Sequence, residues 1–220
     1  MRKLAPGLLA VSALVAGVLA SPAAQAAGPS ASQLLVKLSS CQQISSGKYR
    51  SDDETSASIP VCGKNGAVWY KADMDIDCDG QRTANCSEST DPWFQPDTAF
   101  HDSKGKPLVA DKLPYVVVPS PSGTWDYRDF GIQGGGVVAV IYNNRVEYAV
   151  VGDTGPTNII GEASYATAVN LGINPNPENG GSDGPVHYLY FKSSKVSPIE
   201  DHGKATSLGE SLAQKFLNEN

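Results

Sequence analysis

Little in this sequence equips it for nucleic acid, for a zinc site or for a bilayer. Its 17 Lys and Arg are outnumbered by 23 Asp and Glu, a formal net charge of −6. Phosphate backbones need a basic footprint, so this balance argues against a nucleic-acid partner. There are only three histidines, and none lies close to the cysteines, which also lack a paired C-x-x-C. That removes the usual zinc arrangements. Beyond the first 26 positions no segment is apolar enough to span a membrane. No internal repeat and no linker divides the chain, and its length suits one domain with a sizeable core.

What is present begins with a leader. Arg2 and Lys3 precede an apolar run from Leu4 to Ala20, which breaks at Ser21-Pro22 and is followed by Ala24-Gln25-Ala26. This layout predicts a secretory signal peptide over 1–26 and one exported domain over 27–220. No cysteine stands at the cleavage point for lipid attachment. The leader holds two of the basic residues and no acid, so 15 remain against 23, a charge of −8. Such a surface draws cationic ligands from a distance, although solubility alone also accounts for it. Cys41, Cys62, Cys78 and Cys86 are an even set in an exported chain and predict two disulfides. Of the three pairings, the short Cys78–Cys86 loop with Cys41–Cys62 is the first choice.

Periodicity predicts a mainly β (α+β) domain with a few peripheral helices. Val68, Tyr70, Ala72, Met74 and Ile76 alternate with Trp69, Lys71, Asp73, Asp75 and Asp77, the strongest strand in the chain. Further strands are expected at 115–119, 136–142, 146–151 and 186–192, with Asn143-Asn144 as a hairpin turn. Helices are expected at 32–44, 163–171 and 207–218. The segment 79–107 reads as a long irregular connection. Short strands with wandering connections fit a closed or nearly closed barrel.

Two acids stand out. Val151-Gly152-Asp153-Thr154-Gly155-Pro156 places an acid in what reads as a sharp turn ending a strand. Ile160-Gly161-Glu162-Ala163-Ser164-Tyr165 places another at an expected helix start, nine positions on. Glycosidic cleavage needs one carboxylic acid to protonate the leaving oxygen and a second carboxylate to activate water or attack carbon. Turn formation by Asp153 and helix-end electrostatics at Glu162 would explain the same residues without chemistry. The protease motif Gly-Asp-Ser-Gly-Gly-Pro is only echoed here, because threonine replaces its nucleophile and one glycine is missing. Asp75, Asp77, Asp79 and Gly80 match the opening of an EF-hand loop, but Cys86 stands where the bidentate glutamate belongs. Stacked acids on one strand face instead suit subsites for cationic sugars, with Asp73, Asp75 and Asp77 as the candidates. Among aromatics that could stack on a sugar are Trp69, Trp93, Trp125, Tyr127 and Tyr165.

Taken together, the runs 115–119, 151–156 and 160–165, with the upstream Asp73-Met-Asp-Ile-Asp-Cys-Asp-Gly80, resemble the fungal-type chitosanases of glycoside hydrolase family 75. The resemblance spans roughly 68–192. It implies a secreted endo-acting enzyme that cuts β-1,4 links in chitosan with inversion, on a barrel related to the double-psi type. The family's essential aspartate falls on Asp153 and its glutamate on Glu162. A substrate-binding role for Asp73, Asp75, Asp77 and Tyr165 is an inference from the residues themselves. No metal or organic cofactor is expected, and nothing demands more than a monomer. Two alternatives stay open: hydrolysis of another wall polysaccharide, and a non-catalytic polysaccharide-binding barrel.

Overall fold

The computed structural model describes residues 28–220; the leader expected over 1–26 lies outside the described residues. Among the described residues eight strands and three α-helices are formed. The strands are β1 (Gln42–Gln43), β2 (Cys62–Lys64), β3 (Ala67–Asp77), β4 (Tyr115–Pro119), β5 (Val137–Tyr142), β6 (Arg145–Gly155), β7 (Glu162–Ser164) and β8 (Ser182–Phe191). The helices are α1 (Ala31–Lys37), α2 (Tyr165–Leu171) and α3 (His202–Glu219).

Hydrogen bonding runs in the order β3-β7-β4-β6-β5-β8, and β8 then pairs back onto β3. Six strands therefore close a barrel, with β1 and β2 as an extension on the other edge of β3. Two pairings, β3–β7 and β4–β6, are parallel, and the rest of the barrel is antiparallel. This mixed closed barrel is consistent with the double-psi type. Closure leaves no open edge among these six strands.

The alternation along β3 decides which side chains fill the barrel. Val68, Tyr70, Ala72, Met74 and Ile76 join Val116, Val118, Val138, Val140, Val151 and Tyr188 in one buried interior cluster. The Tyr70 and Tyr190 hydroxyls meet there at 2.6 Å, so neither polar end is stranded in the apolar interior. The opposite set, including Trp69, Val117, Ala139, Ile141, Val150 and Leu189, faces outward and packs with Leu34, Ala205, Ala213 and Phe216 of α1 and α3. Asn143 and Asn144 make the expected β5–β6 turn, with φ of 43° and 64°. Disulfides join Cys41 to Cys62 and Cys78 to Cys86.

Several boundaries differ from the sequence expectation, for local reasons. Helix α1 stops at Lys37, and Gln42–Gln43 is drawn instead into pairing with β2. Helix α3 starts at His202, where the Asp201 side chain caps the Lys204 amide. Strand β6 does not end at Val151. It passes through a register shift and continues beside β4 to Gly155, so Asp153 is a strand residue rather than a turn residue. A Cβ on Gly152 would stand 2.5 Å from the Tyr115 Cβ, so this glycine serves a close approach of strands. Glu162 likewise lies on β7, and α2 begins three residues later because the Ser164 side chain caps it.

Candidate active site

The β6–β4–β7–β3 part of the barrel brings the acids together. Val117 on β4 is in register with Asp153 on one side and with Glu162 on the other, and Glu162 is in turn opposite Asp75. Residues in register project from the same face, so Asp153 and Glu162 flank Val117 on the outside of the barrel. Two strand spacings separate their backbones, about 9.5 Å. The Glu162 carboxylate leans across Val117 toward β6. A Cβ on Gly155 would lie 3.4 Å from its Oε2 and 3.1 Å from Val117 Cγ1. Glycine at 155 keeps that space clear.

Glycine also sets the entry to Glu162. Gly161 has φ of 120°, and a Cβ there would stand 2.2 Å from Asp73 Oδ1. Its carbonyl accepts the Asp75 amide at 2.8 Å, which ties β7 to β3 directly ahead of Glu162.

The two carboxyls are held differently. Asp153 is buried, and its Oδ1 accepts the amides of Ala99 at 2.8 Å and Thr154 at 2.7 Å. Burial raises its pKa, and those two amides pull it back down. Oδ2 has no hydrogen bond among the described residues. Glu162 keeps an exposed edge, yet protein surrounds its carboxyl, and among the described residues none that lines its cavity is basic. Burial first, then the charges of Asp75, Asp79 and Asp153, push it up to about 8. Asp77 is buried beside it, with Oδ1 accepting the Asp79 amide at 2.6 Å; burial and the neighbouring Glu162 raise its pKa strongly. Asp79 is pushed up to about 7 by burial, against the Gln95 amide bonded at 2.6 Å.

A cavity of about 380 Å³ opens over this group, lined among others by Glu162, Asp75, Asp77, Asp79, Asp91 and Trp93. Its far wall is the 174–181 loop, through Pro177, Glu178 and Gly180. Asp52 belongs both to this cavity and to a neighbouring one of about 510 Å³ that holds Asp73, Asp183 and Lys71. Oxygens of Asp52, Asp73 and Asp75 lie within 4.8 Å of one another. Those hard oxygen donors are the side chains that could take a cation, whether a metal ion or an ammonium group. The EF-hand echo does not form such a site, since Asp75 and Asp77 lie on β3 and Asp77 is spent on the Asp79 amide.

A family model for the fungal chitosanases of glycosyl hydrolase group 75 matches residues 74–218, well over half of the chain. The chain belongs to this family. Endo-chitosanase B of Aspergillus oryzae is 29% identical over 168 residues, 68% of this chain and 70% of the relative. An endo-chitosanase from Aspergillus oryzae strain ATCC 42149 / RIB 40 is 32% identical over 146 residues, 61% of this chain and 59% of its own. One from Aspergillus fumigatus is 31% identical over 57% of this chain and 58% of its own. The chain thus spans between 58% and 70% of these relatives' lengths. Among solved structures, Streptomyces papain inhibitor aligns over 61% of this chain and all of its own, with 19% identity and a TM-score of 0.35. At that score the likeness decides neither fold nor function.

Within this family member the expected site residues divide. Glu162, Asp75 and Asp77 line the first cavity, and Asp73 lines its neighbour. Asp153 faces the group across Val117 from beneath the 79–107 connection. Tyr165 is half-buried at the start of α2, packs against both apolar clusters and lines neither of these two cavities. Asp52, Asp91 and Glu178 line the cavity without having been singled out as binders in the sequence, and Trp93, one of the five aromatics that could stack on a sugar, lines it with them. They sit in irregular loops, where no period says which way a side chain turns. Among the described residues no helix is long and apolar enough to cross a membrane.

Proposed function

We propose that this chain is a secreted, monomeric endo-chitosanase that cuts β-1,4 links between glucosamine units with inversion, Glu162 acting as acid and Asp153 as base. One observation carries the reading: the two carboxyls flank Val117 on a single face while their surroundings hold them unequally. Glu162, raised to about 8, keeps its proton in the mildly acidic medium where chitosan dissolves. Asp153, with two amides on Oδ1, ionises more readily and leaves Oδ2 for a water. A backbone separation of about 9.5 Å is compatible with carboxyls about 6.5–9.5 Å apart, the spacing that leaves room for that water.

The step then balances in one displacement. Water oxygen bonds to the anomeric carbon as the glycosidic bond breaks. The water gives a proton to Asp153, and Glu162 gives its proton to the departing oxygen. Substrate preference follows from charge. Ammonium groups of glucosamine meet Asp52, Asp73 and Asp75; burial raises Asp73 to about 7 and Asp75 to about 6, and an ammonium beside them favours the ionised form, whereas an acetylated nitrogen carries no charge to pair. Export rests on the leader read over 1–26 and on the disulfides.

The decisive experiment is incubation with fully deacetylated chitosan, with products sized and their first-formed anomer read by NMR. Short oligomers that appear initially as the α anomer support the proposal. Binding with no product would favour a non-catalytic barrel, and product only from another wall polysaccharide would move the substrate assignment.

A further inference from the structure

We propose that Trp93 is a stacking platform for the sugar chain at the mouth of the cleft, an inference that rests on the chitosanase reading above. Large apolar side chains are normally buried, and the other two tryptophans obey, with 6% exposure at Trp69 and 3% at Trp125. Trp93 is 84% exposed. It lines the same cavity as Glu162, Asp79 and Asp91. Exposed Val36 and Val169 line none of that cavity.

Its backbone, by contrast, is firmly tied. The Trp93 amide donates to Asp91 Oδ1 at 2.8 Å, and its carbonyl accepts Gln95 Nε2 at 3.1 Å. Two residues on, the Gln95 amide donates to Asp79 Oδ1, and next door Phe94 is buried with Arg82 over its ring at 5.3 Å. Upstream, the Cys78–Cys86 disulfide ties the start of the same connection to the end of β3. The fold therefore fixes the backbone that carries the indole and leaves the ring itself open to solvent. A pyranose offers what is missing, a flat face of C–H groups, and glucosamine adds an ammonium that an indole attracts. Tying the backbone beforehand lowers the entropy lost on binding, with only the two side-chain torsions left to order.

The test uses Glu162→Gln enzyme and a glucosamine hexamer. Trp93 is the accessible fluorophore, so acrylamide quenching reports on it. The hexamer should shield it and bring quenching down to the level of the Trp93→Phe protein. In active enzyme, Trp93→Ala should raise KM for the hexamer about five- to tenfold, more than it lowers kcat, and Trp93→Phe should restore most of the loss. If calorimetry shows the hexamer bound while quenching is unchanged and Trp93→Ala keeps the wild-type KM, the platform is refuted. Failure of the wild-type enzyme to hydrolyse chitosan would instead overturn the chitosanase reading, and the platform with it.

Discussion

The outer surface of the barrel is built one way and finished in two. On one flank, Ala139, Ile141, Tyr148 and Leu189 point outward and are covered by Ala205, Ala213 and Phe216 of α3. On the other, the same pleat points Asp75, Glu162 and Asp153 outward around Val117, and the irregular 79–107 connection reaches over Asp153 through Ala99. The strands do not differ in kind, since β6 contributes Tyr148 and Val150 to the clad flank and Asp153 to the acidic one. What differs is the covering. Apolar outward residues gain by leaving water, while clustered acids would lose by it. The lesson is a division of labour along single strands: one flank secures the fold, the other gathers carboxylates at a cost in stability.

The sharpest way to break that comparison is to remove one carboxylate charge at a time. Glu162→Gln and Asp153→Asn should each lower kcat on chitosan by about 10²–10⁴-fold, with no loss of thermal stability. Glu162→Gln should even gain stability at high pH, because it removes a carboxyl that resists ionising there. Activity assays beside thermal melts check both halves. Near-normal turnover in both variants would sink the acid–base assignment.

The converse substitution lies on the clad flank. Gly209 on α3 is buried, and a Cβ there would stand 2.3 Å from Tyr148 Cδ1 and 2.9 Å from Tyr148 Cβ. No far end of a flexible chain is available to give way, so α3 must shift outward. Gly209→Ala should cost about 1–3 kcal/mol in stability and leave kcat unchanged at temperatures where the protein is folded. A matching loss of activity in the folded protein would mean that the two flanks are not independent.

The two flanks were not equally readable in the sequence. Strand β3 could be read nearly residue by residue, because one face fills a barrel and the other does not, and such burial imposes period two. The Asn143-Asn144 turn was readable because few residue pairs tolerate its backbone. Asp153 and Glu162 stand out in the sequence as candidate carboxylates, yet both lie on strands rather than at a turn and a helix start. Their glycines looked like turn formers, and only the neighbours Tyr115, Val117 and Asp73 reveal that they make room instead. Asp52, Asp91 and Trp93 could not be placed, because they reach the cavity through loops whose course depends on contacts distant in sequence, such as Gln95 on Asp79 and Ala99 on Asp153.

Titration should separate the flanks in opposite directions. On the acidic flank Glu162 is raised from 4.5 to about 8, and Asp73 and Asp79 from 3.8 to about 7, each chiefly by burial. The folded protein therefore binds more protons there than the unfolded chain does. That contribution is whole below about pH 4 and is lost as pH climbs toward 8. At the start of α3 the sign reverses. The Lys204 amide lowers the Asp201 pKa, so its contribution is present above pH 4 and is lost on acidification. Thermal melts from pH 3 to 9 should peak near pH 4–5 and fall by only a few degrees up to pH 8, since water screens carboxyls that keep an exposed edge. Asp73→Asn with Asp79→Asn should flatten the alkaline slope and spare the acid one, whereas Asp201→Asn should soften the acid one alone. A wild-type melting temperature that rises from pH 5 to pH 8 would contradict the assignment, because it would require those acids to ionise more readily in the folded protein than in the unfolded chain.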